Sequence, residues 1–217
     1  MSDNVADDVA ESKVSNQVAG VIIAGGKSRR WGGGDKFLAV IDGKSLLQHV
    51  ADRVRGQVRL LTLNANGPKD EYQGLDLAVI PDVVKGNLGP LAGVLTGLDW
   101  VRENLPGVPW VLTVPADAPF LPDDLVERLL TAIEEGGADM ACASSSGRTH
   151  PVIGLWPVAL CDRLRSDLIY DEVRKVDVWT ASYKVACPSW STNPVDPFFN
   201  INTHEDLDVA ADLIAKL

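Results

Sequence analysis

The most constraining feature of this sequence is an apolar run, residues 18–24, that passes directly into a loop rich in glycine and basic residues, 25–36. Glycine backbones approach ligands closely, and their N–H groups can form an anion-binding concavity. In a chain of net charge −10, such local positive charge predicts a site for the phosphates of a nucleotide. The loop holds five glycines and four basic residues, namely Lys27, Arg29, Arg30 and Lys36.

The loop matches neither of two common phosphate-binding motifs. Gly26-Lys27-Ser28 ends like a P-loop, but the upstream glycine of that motif would fall at Val21, inside the apolar run. No G-x-G-x-x-G pattern can be placed between Gly25 and Gly34, so the dinucleotide fingerprint is absent as well. A P-loop GTPase is therefore disfavoured, and an ordinary flexible surface loop remains as the structural alternative.

Length and composition favour one α/β domain. The chain has 217 residues, of which 46% are hydrophobic, enough for a sizeable core. Residues 1–17 are acidic and lack an apolar stretch, which predicts a disordered tail and excludes a secretory signal. We therefore expect a disordered tail over 1–17 and a single domain over 18–217.

Composition also limits the location and the partners. Three cysteines without C-x-x-C spacing argue against disulfides or a zinc site and suit a cytoplasmic protein. A sequence pI near 4.7 argues against nucleic acid, and no apolar run is long enough to span a membrane. We expect a cytoplasmic monomer without nucleic-acid or membrane partners.

Strand-like and helix-like segments alternate along the chain. This alternation predicts a mostly parallel, twisted sheet with helices on both faces. The predicted strands are 18–24, 58–64, 75–80, 110–114, 139–143 and 152–156. The predicted helices are 45–54, 89–103, 122–135, 159–168 and 205–216, the last capped by Thr203 with Asp206 at the capping-box position.

Polar residues follow several predicted strands, where open α/β sheets bind their ligands. Asp117 follows an apolar strand and suits Mg²⁺, which takes one or two protein carboxylates together with phosphate oxygens. Lys36 suits the stabilisation of a transferring phosphate. The alternatives are a turn or cap for Asp117 and an exposed lysine for Lys36. Asn64 and Asp82 also stand at strand ends, where either could simply be a turn residue.

A series of short motifs resembles one enzyme family. They are Ile23-Ala24-Gly25-Gly26, Ser28-x-Arg30-x-Gly32, Asp35-Lys36, Asn64-Ala65-Asn66, Pro81-Asp82, Gly89-Pro90-Leu91-Ala92-Gly93, Pro115-Ala116-Asp117-Ala118-Pro119, His150-Pro151 and Asn200-Ile201-Asn202-Thr203. This set is similar to the nucleotidyltransferases of molybdenum cofactor biosynthesis, and most of all to the guanylyltransferases among them. The resemblance covers residues 18–217 and implies a single-domain, Rossmann-like nucleotidyltransferase fold.

The resemblance also implies a reaction and its participants. GMP would pass from GTP to the terminal phosphate of Mo-molybdopterin, with release of pyrophosphate and formation of molybdopterin guanine dinucleotide. The implied cofactor is Mg²⁺. The implied partners are the two substrates, together with molybdoenzyme apoproteins or other proteins of cofactor biosynthesis.

The same resemblance assigns roles to individual residues. The catalytic residues would be Lys36 and Asp117, with Asp117 also the metal ligand. His150, Asn200 and Asn202 would lie on the acceptor side, although a histidine so placed can also be structural. Trp31 stands where the family usually has methionine, and it either covers the nucleotide or packs under the loop. The nucleotide-binding residues would be Ile23, Ala24, Gly25, Gly26, Arg30, Lys36, Asn64, Asp82 and Asp117.

Several alternative functions stay open at this point. One is the CTP-dependent molybdopterin cytidylyltransferase, and another is a sugar-phosphate nucleotidyltransferase on the same fold. Ala24-Gly25-Gly26 favours the guanylyl branch over the Ala-Ala-Gly typical of those relatives. A non-catalytic guanine-nucleotide-binding module is an alternative of a different class, and the presence of Lys36 and Asp117 argues against it.

Overall fold

The fold is built on one eight-stranded sheet, seen in a computed structural model that describes residues 14–25, 31, 35–67, 72, 74–86 and 88–215. A separate hairpin of two short strands, β2 and β3, lies outside this sheet. The strands are β1 (Val18–Ile23), β2 (Val40–Ile41), β3 (Lys44–Ser45), β4 (Leu61–Asn64), β5 (Ala78–Ile80), β6 (Trp110–Pro115), β7 (Met140–Ser145), β8 (Arg148–Pro157), β9 (Val185–Ala186) and β10 (Ser189–Trp190).

Six α-helices connect or flank these strands within the described residues from Val18 onward. They are α1 (Leu46–Arg55), α2 (Pro90–Asn104), α3 (Leu125–Gly136), α4 (Cys161–Ile169), α5 (Val176–Thr180) and α6 (His204–Ile214). Ser45 caps α1 by accepting from the Gln48 N–H, and Thr203 and Asp206 form the predicted capping box of α6. Each of these helices in the described residues is too short or too polar to cross a bilayer.

The strand order is β10-β7-β8-β6-β1-β4-β5, with β9 paired to β7. All pairs in this sheet are parallel except those that β8 makes with β6 and β7, so the prediction of a mostly parallel sheet is confirmed. The antiparallel direction of β8 comes from a two-residue turn after β7, where Ser146 and Gly147 have φ of 46° and 73°. Positive φ at both positions is what a type I′ hairpin requires.

Helices cover both faces of the sheet, as predicted. Along β1, Val18 and Ile22 face the cluster formed with α1 and α3, whereas Ala19, Val21 and Ile23 face the cluster formed with α2, α4 and α5. Because successive side chains of a strand point to opposite faces, a strand buried on both sides must be apolar throughout. This explains why the central strands read as continuous apolar runs.

Some predicted boundaries differ from the observed ones. The strands predicted from residues 58 and 75 begin only at Leu61 and Ala78, and the helix predicted from residue 122 begins at Leu125. The apolar Val58 is buried in the connection before β4, so apolar character alone does not mark the start of a strand. The short elements β2, β3, α5, β9 and β10 were not predicted, because they are too short to show a period.

The end of the predicted tail packs on the domain. Val14 is half-buried against the cluster of α1 and α3, and its carbonyl accepts a hydrogen bond of 3.1 Å from the Gln17 N–H. Residues 1–13 lie outside the described residues, so their predicted disorder stays a prediction.

Gly154 of β8 is a sensitive packing position. A Cβ atom there would overlap the ring of Trp156 and approach the Ala141 carbonyl oxygen to 2.9 Å. Trp156 is fully buried and its indole donates to Thr113 Oγ1, so the ring cannot move away freely. We expect Gly154→Ala to lower the free energy of unfolding by about 1–3 kcal/mol in urea denaturation. Gly56→Ala is the matched control, because a Cβ atom at Gly56 meets nothing within 4 Å.

Candidate active site

The site lies at the switch point of the parallel strands. From β1 the chain proceeds to β4 and β5 on one side, and β6 then pairs with the other side of β1. Such a reversal opens a crevice beyond the carboxyl ends of the strands. The register places Ile23 beside both Asn64 and Pro115, so the ends of β1, β4 and β6 stand at one level. Asp117 follows two residues after the end of β6.

Lys36 and Asp117 meet in this crevice. Lys36 Nζ lies 2.5 Å from Asp117 Oδ2 and 3.0 Å from Asn202 Oδ1. The side chains of Lys36 and Asp117 are only 14% and 17% exposed. The alternative of a solvent-exposed lysine is therefore wrong. Asp117 stands in a turn after β6, as one alternative held, but it is not a helix cap, because Asp124 precedes α3. An ammonium group carries three N–H donors, so one remains for a ligand after these two bonds.

Asn202 is held in place by Asp206. One carboxylate oxygen of Asp206 accepts hydrogen bonds from the Asn202 N–H at 2.8 Å and the Thr203 N–H at 2.9 Å. These bonds lower the pKa of Asp206, the Asn202 N–H being the largest cause, with a smaller contribution from the charge of Lys36. The Ile201 N–H donates to the backbone carbonyl of Asp117 at 3.0 Å, so this segment is tied to the end of β6.

Asp206→Ala is expected to lower the free energy of unfolding by about 1 kcal/mol, the usual loss for an N-terminal capping interaction. Urea denaturation measures it, with Asp208→Ala on the same helix as the control for removal of one carboxylate. The loss of Asp206 also frees Asn202, so turnover should fall in Asp206→Ala and not in Asp208→Ala. Equal stability of the two variants would contradict the capping role.

The donor set at Asp117 fits a magnesium ion bound together with phosphates. Asp117 Oδ1 is buried and has no hydrogen-bond partner in the described structure, so one carboxylate oxygen is available to a cation. Within the described ranges, no cluster of three or more His, Cys, Asp or Glu side chains can hold a metal. Mg²⁺ does not need such a cluster, because it binds through one or two carboxylates and substrate phosphates.

Asn64 and Asp82 belong to a second polar cluster at the ends of β4 and β5. Asp82 Oδ1 accepts from the Asn64 amide and Asp82 Oδ2 from the Asn66 amide, both at 2.9 Å. The Asn64 side chain is buried and also donates to the Ile80 carbonyl. The structure thus gives Asn64 a structural role, and its contact with a nucleotide stays a prediction, as does that of Asp82.

His150 lies near the start of β8, beside the turn of the β7–β8 hairpin. Its Nε2 is 2.8 Å from Ser145 Oγ, and its ring contacts Phe198 with the centroids 4.8 Å apart. Burial lowers the pKa of His150, which Asp196 partly offsets. The imidazole therefore favours the neutral form.

The glycine loop is only partly described. Ile23 ends β1, Ala24 and Gly25 follow it, and the Ala24 N–H donates to the Asn64 carbonyl at 2.9 Å. Gly26 and Arg30 lie outside the described residues, so their predicted contacts stay predictions. Asn200, which was predicted on the acceptor side, is exposed, and its carbonyl accepts from the Asn202 amide at 3.3 Å; its contact with an acceptor stays a prediction.

Trp31 is buried against neighbouring apolar side chains. It is 8% exposed and contacts His204, with ring centroids 4.3 Å apart. Phe120 and Ile201 belong to the same apolar cluster, beside the start of α6. Of the two roles considered for this tryptophan, packing is the one that the structure supports.

Four residues near the site were not assigned a role in it from the sequence, namely Asn66, Ser145, Asp196 and Asp206. Asp206 was predicted only as a helix cap, and the capping signal could have been extended to Asn202 because the two are four residues apart. Ser145 and Asp196 are separated by 51 residues. No local pattern in the sequence pairs them.

The chain matches a known family over most of its length. Residues 20–187 match the model of the MobA-like NTP transferase domain. The chain belongs to the MobA-like NTP transferases. Two relatives within this family are both named molybdenum cofactor guanylyltransferase. That of Bradyrhizobium sp. (strain ORS 278) is 50% identical over 94% of this chain and 96% of its own. That of Rhodopseudomonas palustris (strain HaA2) is 52% identical over 90% and 92%.

A solved structure of the MobA-like type confirms the nucleotidyltransferase fold. The molybdopterin-guanine dinucleotide biosynthesis protein A from Archaeoglobus fulgidus superposes with a TM-score of 0.69, covering 92% of this chain and 100% of its own. At 22% sequence identity, this likeness supports the fold alone. The predicted fold class and family are thus both confirmed.

Proposed function

We propose that the protein transfers GMP from GTP to the terminal phosphate of Mo-molybdopterin. The observation that carries this proposal is the Lys36 ammonium, held between Asp117 and Asn202 at the switch point of a guanylyltransferase-like fold. The names of the relatives at 50% and 52% identity specify the nucleotide and the acceptor.

The reaction is an in-line displacement at the α-phosphate of GTP. An oxygen of the acceptor's terminal phosphate forms a bond to the α-phosphorus, and the bond from that phosphorus to the β-bridging oxygen breaks. The electron pair leaves with pyrophosphate. Little covalent chemistry is required of the protein, so positioning and charge stabilisation provide most of the catalysis.

Lys36 stabilises the charge that grows on the α-phosphate oxygens. Its ammonium group is held by Asp117 and Asn202, so it needs little reorganisation as the reaction proceeds. Asp117 would hold Mg²⁺ through its unpartnered Oδ1 atom. When bound, this ion neutralises phosphate oxygens and orients the reacting groups. The glycine loop and the end of β1 would carry the triphosphate.

The test incubates the purified protein with molybdopterin carrying molybdenum, MgCl₂ and either GTP or CTP, followed by mass spectrometry of the products. We expect a guanine dinucleotide with GTP, and its loss when EDTA removes the metal. A product with CTP alone would show the cytidylyltransferase instead. Tight GTP binding without any product would support the non-catalytic module.

A further inference from the structure

A polar network at the β7–β8 hairpin is not used by the reaction described above. Ser145 Oγ lies 2.8 Å from His150 Nε2 and 3.1 Å from Asp196 Oδ2. Ser145 is 2% exposed, so water does not compete for these bonds. The other carboxylate oxygen of Asp196 accepts from the Phe198 N–H at 3.0 Å. Every member of the network is therefore fixed by a second contact.

The proton count of this network sets the tautomer of His150. A carboxylate accepts hydrogen bonds only, so Ser145 must give its single hydroxyl proton to Asp196. The Ser145 oxygen can then only accept from His150, which places a proton on Nε2. In the neutral imidazole, Nδ1 is left with a lone pair. Burial lowers the pKa of His150, Asp196 raises it and Arg148 lowers it further, and the net direction favours this neutral form.

Arg148 lies beside this network, and its charge acts on His150. Arg148 and His150 are two residues apart on β8, so their side chains share one face of the strand. The Arg148 side chain is exposed and forms no ion pair with any residue that the structure describes. An unpaired guanidinium fork beside an imidazole with a free nitrogen suits the oxygens of a phosphate monoester.

The network stands close to the catalytic pair. Phe198 contacts His150, and three residues later the Ile201 N–H donates to the Asp117 carbonyl. Three residues span at most about 10 Å even when fully extended. The network and the crevice at Asp117 are therefore joined by a short stretch of backbone.

We propose that Arg148 and His150 bind a phosphate group of the acceptor, with Ser145 and Asp196 as positioning residues that set the tautomer of His150. That this phosphate belongs to the acceptor rests on the proposed function, whereas the anion site itself does not. A dianionic phosphate binds most strongly when His150 gains a proton at Nδ1, so that both ring nitrogens donate. The proton comes from the solvent or from the monoanionic form of the phosphate.

The anion site is tested with inorganic phosphate and the full chain, by NMR of ¹⁵N-labelled histidine side chains. We expect phosphate to raise the pKa of His150 and to shift its Nδ1 resonance. Arg148→Ala should weaken phosphate binding roughly tenfold, the usual effect of one charge-assisted hydrogen bond. Arg59→Ala is the control, because Arg59 is exposed and lies before β4, at the amino ends of the parallel strands and away from the β7–β8 turn. If the His150 resonances do not change when phosphate is added, the proposed anion site is wrong.

The positioning role is tested by Asp196→Asn. The asparagine oxygen would still accept the hydrogen bond from the Phe198 N–H. The amide N–H₂ group then faces Ser145 and donates to its oxygen, so the direction of the hydrogen bonds in the network is reversed. The Ser145 hydroxyl then donates to Nε2, so His150 should switch to the Nδ1–H tautomer. A His150 that keeps Nε2–H in this variant would refute the role of Asp196. Urea denaturation verifies that the variant folds.

Steady-state kinetics separate this inference from the proposed function. Arg148→Ala should raise the KM for the acceptor about tenfold, because it removes a charged donor, with the KM for GTP unchanged. Asp196→Asn should raise the acceptor KM as well, because Ser145 then donates to Nε2 and His150 can no longer carry protons on both ring nitrogens. A protein that binds phosphate at His150 but forms no dinucleotide would contradict the proposed function alone. If both variants are active and their KM for the acceptor equals that of the wild type, the inference alone is contradicted.

Discussion

Lys36→Ala is expected to lower kcat for GMP transfer by about 10²- to 10³-fold, with a much smaller change in the KM for GTP. The reason is that negative charge on the α-phosphate oxygens is greatest in the transition state, where the fixed ammonium group contributes most. Release of pyrophosphate from GTP in the presence of the acceptor measures the effect.

The control for Lys36→Ala is Lys44→Ala. Lys44 also pairs with an aspartate, Asp52, at 2.6 Å, but its side chain is 49% exposed and lies in the β2–β3 hairpin. Lys44→Ala should keep turnover within about twofold, since exposed ion pairs contribute little. Wild-type kcat in Lys36→Ala would contradict the role of this residue. A fall in stability alone, seen in urea denaturation with kcat intact, would leave Lys36 as a structural partner of Asp117.

The fold was predictable because its central strands are buried on both faces. The apolar runs of β1 and β6 are recognisable in the sequence. The alternation of strand-like and helix-like segments predicts parallel strands joined by helices. The antiparallel direction of strand β8 was harder to predict from the sequence. Its direction depends on a tight turn at Ser146 and Gly147, and the sequence there is also compatible with an ordinary loop.

The centre of the site was predictable for a related reason. Asp117 and Lys36 follow elements whose ends must meet at one edge of the sheet, so their proximity depends on topology rather than on side-chain detail. What could not be predicted is that each has the other as its partner. Asn202, which comes from a distant segment, was expected on the acceptor side; its side chain accepts from Lys36, and its contact with the acceptor stays a prediction.

The supporting polar contacts were beyond sequence reasoning. Asp82 is surrounded by two asparagine amides and Ser145 by His150 and Asp196, and in both cases the partners come from different strands or loops. Their pairing requires the distances between side chains, which depend on how the loops pack. A strand-end carboxylate therefore marks the location of a site, while the number of its hydrogen-bond partners indicates whether it is available to a ligand.

By that criterion Asp117 differs from Asp82. Both carboxylate oxygens of Asp82 have amide partners, whereas Asp117 has one oxygen on Lys36 and one buried oxygen without a partner. A buried acceptor without a partner is costly, so its retention suggests a ligand that occupies it during function. This contrast is why we propose Asp117, and not Asp82, as the metal ligand.

Asp117→Asn is expected to reduce kcat by about 10²- to 10⁴-fold, the range that corresponds to several kcal/mol of lost charge stabilisation. Asparagine has nearly the same shape and can still accept from Lys36, so the fold should survive. The backbone carbonyl at this position also keeps its bond to the Ile201 N–H. What the substitution removes is the negative charge that would attract the cation.

Titration of activity with MgCl₂ measures this effect most directly. The wild-type enzyme should saturate at a lower concentration than Asp117→Asn, and EDTA should abolish turnover in both. Asp123→Asn is the matched control, because Asp123 is 79% exposed and its only described ion pair, with Arg53, lies outside the crevice. If Asp117→Asn requires the same magnesium concentration as the wild type, another residue must bind the metal. If its kcat is also unchanged, the Asp117 carboxylate has no catalytic role.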